Sequence, residues 1–241
     1  MTQRSASDAG SARAAGLLAF WADIDPDYVL RFQQWHNCEH MPERLSIAGF
    51  LTGRRYRAAG EARMFFMFYE TASPEILRSP DYLAALNHPT PWTRESLQHF
   101  RRPLRSGYRK LLECGRAPAI ESPHIIVYRF NLRDASGSEG GEQGVREWIR
   151  AMSQVPGIVR TRLYELDTGA SGVATEERKI YQGAKSDQRY LALLDSATLA
   201  PWETDEWRSL EQVLPPSSRP NSFATDLERD AYWLEIALYS S

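Results

Sequence analysis

The ten residues from Trp35 to Arg44, WHNCEHMPER, bring together two histidines, two carboxylates and a thiol. Such a group can hold a metal, move protons or close a helix. His36 and His40 stand four apart and so share a helix face. With Glu39 they satisfy H-x-x-E-H, a spacing at which two histidines ligate zinc and the glutamate acts on water. That chemistry needs a third ligand from a second helix, and no segment supplies one, so no metal ligand is assigned. Proton transfer suits these residues better, because an unperturbed imidazole titrates near pH ~6.5. His40 is the candidate base or acid, and Glu39 or Glu43 would orient it or carry a second proton. The plain alternative is packing. Trp35 and Phe32 then lie on a sheet, His36 is a satisfied histidine, and Cys38 is a small buried or half-exposed apolar residue. Glu39, Glu43 and Arg44 then form a solvated helix end whose local ion pair is worth little.

Composition narrows the partners. A net charge of -2 with no basic stripe argues against nucleic acid. The longest apolar run, around Met64 to Tyr69, is too short to span a bilayer, and no leader segment is visible. Two cysteines, Cys38 and Cys114, make no disulfide framework, so a cytoplasmic protein with reduced thiols is expected. No phosphate loop, dinucleotide fingerprint or nucleophile elbow is present, so no cofactor is assigned.

The elements that position the decapeptide read as two rounds of one pattern. Residues 1–14 form a Ser-, Ala- and Gly-rich tail. A first unit, 15–118, opens with a strand at 16–23 and a helix capped by Asp25-Pro26. Pro42 should end or kink that helix, leaving His40 beside freed carbonyls, where the helix dipole and a carboxylate favour its charged form. Strands follow at 50–58, 61–70 and 104–114, with short helices opened by Ser73-Pro74, Ser79-Pro80 and Thr90-Pro91. A second unit, 122–241, has strands at 124–132, 157–166, 189–196 and 231–240, and helices at 145–155 and 200–213. Between them lie a flexible loop at 136–144 and a polar loop or hairpin at 167–187. GFLTGRRYRA is echoed by GIVRTRLYEL, and TPWTRESL by APWETDEW, at equivalent places. The second helix, REWIRAMSQVPG, has no counterpart of Glu39-His40-x-Pro42, so a single site in the first unit is expected.

This order, β-α-β-β-α-β twice, resembles the dimeric α/β-barrel superfamily, in which two ferredoxin-like units enclose a barrel. WHNCEHMPE is also similar to the EthD-like branch, whose first helix ends in a histidine followed closely by proline, here His40 and Pro42. The resemblance implies an α+β fold with both units fused in one chain, the second mainly structural. It also implies a small-molecule enzyme, a haem protein or a chain without assigned activity, since the fold alone leaves the reaction open. In such a barrel, an interior lined by Phe66, Phe68 or their alternates would make an apolar pocket around the imidazole. Arg54 and Arg55, consecutive on a strand, point to opposite faces, and the inward one would pair with Glu39 or Glu43 or bind an anionic substrate group. Tyr69 and Tyr108 can supply hydroxyl donors, and His88 and Trp92, in LNHPTPW, would cover the barrel mouth. With Trp35 and His36 these complete the candidate substrate-binding set.

The expected function is cofactor-independent acid–base chemistry on a small cyclic or aromatic metabolite: isomerisation, lyase or cyclisation chemistry, or oxygenation. The alternatives are a non-catalytic ligand-binding or stress-response module, and a haem or metal protein of the same fold. Association of two copies through the outer faces is left open.

Overall fold

The computed structural model describes residues 14–115, 121–133 and 139–240. The expected tail lies outside these residues but for its last one, and so do the junction at 116–120 and the start of the glycine-rich loop.

Eight strands close on themselves: β1 (Gly16–Ile24), β2 (Phe50–Ala58), β3 (Phe65–Thr71), β4 (Phe100–Gly115), β5 (His124–Leu132), β6 (Ile158–Asp167), β7 (Tyr190–Ser196) and β8 (Ala224–Tyr239). Their order round the barrel is β1-β3-β2-β8-β5-β7-β6-β4, and each ladder is antiparallel. The two halves of the ring repeat one order, β4-β1-β3-β2 and β8-β5-β7-β6. β4 and β8 are 16 residues each, long enough to pair within their own half and across the seam. Closure leaves this barrel no open edge among the described residues.

Side-chain alternation then sorts the residues. Leu17, Ala19 and Trp21 of β1 meet Tyr56, Phe66, Phe68 and Tyr108 inside the barrel. Their neighbours Leu18, Phe65, Met67 and Tyr69 face outward, under helices. The interior also carries ions. Arg162 donates to Glu70 at 2.8 Å and Asp195 at 2.6 Å, Arg160 to Asp195 at 2.7 Å, and Arg54 to Glu70 at 2.8 Å.

On the first half lie α1 (Val29–Trp35), α2 (Met41–Leu45), α3 (Pro80–Asn87) and α4 (Pro91–Leu97). Ser79 and Thr90 cap α3 and α4 as expected, accepting from the N–H of Tyr82 and of Thr93. In the second half α5 (Glu139–Met152) begins six residues before the expected start, so 139–144 is helix rather than loop. The expected loop at 167–187 holds two short helices, α6 (Thr168–Ser171) and α7 (Glu176–Tyr181), started by Asp167 and Thr175 as side-chain caps. α8 (Asp205–Val213) and α9 (Pro220–Phe223) complete the set. β8 starts seven residues earlier than expected, because its charged run pairs with β5 and its Glu228 meets Arg129. No helix of the described residues is long and apolar enough to cross a membrane.

Gly49 and Gly157 open the echoed strands, with φ of 92° and 88°. Both need the left-handed region. A Cβ at Gly49 would meet Ile76 Cδ1 at 2.5 Å, whereas one at Gly157 meets nothing within 4 Å. Gly157→Ala should therefore cost backbone strain of about 1–3 kcal/mol. Gly49→Ala should cost more, because Ile76 must also move. Urea unfolding of the two variants checks the order.

Candidate active site

The decapeptide lies within one helical run from Val29 to Leu45, interrupted by a π turn at His36–His40. Pro42 does not end the helix. Its ring would crowd the carbonyl four residues back, and it has no N–H to donate. The wide turn absorbs that conflict: the N–H of Met41 reaches back to the carbonyl of His36. Helix therefore continues past Pro42 and carries Arg44 into the cavity that His36 and His40 also line.

That cavity lies outside the barrel, between the outer face of β1, β3 and β4 and the helices above them. It encloses about 40 Å³ and opens to solvent at its mouth. Trp35, Phe20, Leu97 and Phe100 wall one side. Arg44, Arg105, Tyr82 and Glu177 bring polar groups to it. Of the expected set it is the alternates, Met67 and Tyr69, that line the cavity; Phe66 and Phe68 point into the barrel, one residue out of phase, so the imidazole lies outside the barrel and not in its interior.

His40 is half-buried, with its ring 4.4 Å from that of Trp35 and 5.7 Å from that of His36. Its Nδ1 is sealed without a partner. Burial, and then the charge of Arg44, hold its imidazole well below the usual histidine range. His40 is thus neutral, not charged as a helix-end position would have made it.

His36 is buried, and burial first, then the charges of Arg55 and Arg44, hold its imidazole well below the usual histidine range. Arg55 Nη1 donates to its Nδ1 at 3.1 Å. An arginine can only donate, so the ring proton sits on Nε2. Nε2–H then donates to the Tyr69 oxygen at 3.4 Å, which leaves the Tyr69 hydroxyl proton free for another acceptor. Glu235 of β8 fixes Arg55 at 2.7 Å.

Arg44 is 1% exposed, not part of a solvated end. Its Nη2 donates to Glu177 of α7. Its Nη1 is buried and makes no hydrogen bond among the described residues, with Glu43 Oε2 at 3.4 Å. Arg105 donates to the Ala170 carbonyl at 3.2 Å and the Tyr82 hydroxyl at 3.1 Å. Burial raises the Glu177 carboxyl more than Arg44 lowers it.

The other expected site residues divide. Glu39 accepts from Thr90 at 2.6 Å and Thr93 at 3.1 Å, tying the π turn to α4, so the side chains of H-x-x-E-H do not converge. Glu43 is a third exposed and lies near Arg44. Arg54 points into the barrel, donating to Glu70 and to Glu121, and Phe66 and Tyr108 lie there too. Arg55 takes the outer face. His88 is exposed, its Nδ1 2.9 Å from the Ala84 carbonyl. Trp92 packs under the Arg31 guanidinium at 4.6 Å. Cys38 is exposed. Arg44, Tyr82, Arg105, Glu177 and Tyr181 were missed. Arg44 was detectable as the third member of a 36, 40, 44 ladder. Glu177 had no local signal, since its place depends on how the second half folds over the first.

The second half places different residues at the equivalent positions. Nine and five residues before Gly49 stand His40 and Arg44; nine and five before Gly157 stand Trp148 and Met152. Both are buried, and Trp148 meets Tyr128 edge-on at 4.9 Å, so apolar side chains stand where the first half has His40 and Arg44.

No protein-family model matches the chain, and no curated protein matches it. Among solved structures it is similar to an anthrone oxidase-like protein, at 8% identity and a TM-score of 0.60, over 95% of each chain. A candidate monooxygenase from Fusobacterium nucleatum subsp. nucleatum matches with a TM-score of 0.60 at 5% identity, over 95% of this chain and 96% of that one. A heme-binding protein from Thermus thermophilus matches with a TM-score of 0.55 at 10% identity, over 92% of each. At these identities the likeness is one of fold alone: the chain has the fold of the dimeric α+β barrels, closed here within a single polypeptide.

Proposed function

We propose that the outer cavity is the active site of a small-molecule enzyme that works by acid–base chemistry, with His40 as the base. One observation carries this reading: a neutral imidazole opens onto an aromatic-walled cavity beside a buried, incompletely bonded arginine. With the ring proton on the sealed Nδ1, Nε2 presents a lone pair to the cavity. It takes a proton from an acidic C–H or O–H of a cyclic or aromatic substrate. Arg44 and Arg105 then stabilise the anion left behind, fixed in place before it forms. Tyr69 donates its free hydroxyl proton to a carbonyl oxygen. Isomerisation, elimination or cyclisation, and cofactor-free oxygenation all begin with this step. Glu39 and Glu43 are not assigned the proton, since Glu39 is occupied by two threonines.

The chain further reads as two fused ferredoxin-like units of the EthD-like kind. The repeated strand order and the paired glycines at 49 and 157 support that reading.

The test is solvent exchange. Small lactones, phenols and cyclic ketones are incubated with the protein in heavy water, and uptake of deuterium is followed by mass spectrometry. Loss of a general base typically costs about 10²–10⁴-fold. His40→Ala should lower exchange by that much and leave the melting temperature nearly unchanged. Full exchange in the variant sinks the assignment. Binding without exchange in the unmodified protein makes the cavity a non-catalytic module. Haem titration is the control: a Soret shift lost in His40→Ala would replace the acid–base reading with a haem site.

A further inference from the structure

The cavity also carries information on what it selects. Two guanidinium groups, Arg44 and Arg105, and one carboxylate, Glu177, line it, while His36 and His40 are neutral. The lining therefore holds one cation in excess. Glu43 adds a carboxylate 3.4 Å from Arg44, but from outside the lining, in a position open to water. Arg44 is the decisive group. A guanidinium removed from water should have its donors satisfied. Here Nη2 is taken by Glu177, whereas Nη1 is buried and makes no hydrogen bond among the described residues.

Glu177 itself reaches Arg44 across 133 residues of sequence, from a six-residue helix of the second half. It places a carboxylate against the guanidinium, at the edge of a cavity with aromatic walls. A ligand carboxylate beside it would find the unbonded Nη1 donor, with the aromatic side chains of Trp35 and Phe100 next to it.

We propose that the cavity takes a small aromatic or cyclic carboxylate, held by Arg44 through the Nη1 donor that Glu177 leaves free. The ring lies against Trp35 and Phe100, which brings it beside His40. Glu177 sets selectivity: it keeps Arg44 in place and repels dianions. This inference rests on the reading of the cavity as the working site, but binding tests it without any turnover.

The experiment is calorimetric titration of the full chain with benzoate, the smallest aromatic acid, against benzamide, which matches it in shape and lacks the charge. The acid should bind at least about tenfold tighter than the amide, as a charge-assisted hydrogen bond to a buried partner requires. Glu177→Gln should tighten the acid several-fold and leave the amide unchanged. Arg44→Gln should abolish the preference. Should that variant unfold because Glu177 loses its partner, the double variant Arg44→Gln/Glu177→Gln removes both charges together and should bind acid and amide alike. Equal binding of acid and amide to the unmodified protein overturns the proposal and leaves the acid–base reading standing. Preference for the acid with no exchange at His40 keeps the proposal and removes the enzyme. If neither binds, the carboxylate proposal is overturned.

Discussion

Arg162→Met should destabilise the protein by about 3–5 kcal/mol, because it breaks a buried ion network from within. Arg162 is fully buried and bridges two carboxylates, Glu70 at 2.8 Å and Asp195 at 2.6 Å. Burial alone would push the Glu70 carboxyl up. Arg162, Arg54 and Arg160 together outweigh it and hold it well below the usual carboxylate range. Without Arg162, Glu70 keeps one cation, Arg54, and the Thr52 hydroxyl within hydrogen-bond reach, and Asp195 keeps Arg160. A typical domain has about 5–15 kcal/mol in all, so the loss removes a large share of it. Urea unfolding at pH 7 measures it. Pairing Arg162→Met with Asp195→Asn should recover part of the loss, because one unpaired charge goes too. A loss under about 1 kcal/mol would mean that the remaining arginines close the gap, contrary to close packing inside the barrel.

That network was only half legible in the sequence. Arg54 and Arg55 were correctly set on opposite faces by strand alternation, but which was which depends on register, and register depends on pairing across the whole barrel. Once Arg54 pairs opposite Phe68 it must face the interior, and Arg55 must face His36. All eight strands were readable because apolar and aromatic runs broken by glycine and proline leave a local signal. The two helices in 167–187 were not, since each is short, polar and held by caps rather than by an apolar stripe. The site suffered most from one proline. Pro42 reads as a stop, and a stop at that point hides Arg44. Only the π turn, which is a property of the backbone and not of any residue type, lets the helix run on.

Acid should unfold the protein through its two site histidines before it silences them. His36 and His40 titrate well below the ordinary range in the folded chain, burial being the first cause for both. In the unfolded chain each takes up a proton near pH ~6.5. Below that pH, and down to the folded values, the unfolded state binds more protons than the folded one. Stability is therefore complete above about pH 6.5 and falls as the pH drops, by about 1.4 kcal/mol per pH unit for each histidine. Urea midpoints at pH 7.5, 6.5 and 5.5 should trace this fall. His40→Gln should remove roughly half the slope, and the double variant His36→Gln/His40→Gln most of it. A slope unchanged in the double variant would assign the acid sensitivity to carboxylates such as Glu70, whose contribution is lost only at lower pH, below the unfolded carboxylate range near ~4.3. The same depression shapes activity. A base whose charged form is disfavoured by burial and by Arg44 stays unprotonated to lower pH than a solvated imidazole does. Exchange rates should therefore be flat from pH 7.5 to 6 while stability has already begun to fall. If the rate instead followed an ordinary imidazole titration, His40 would have to be solvated, and the neighbouring arginine would not be acting on it.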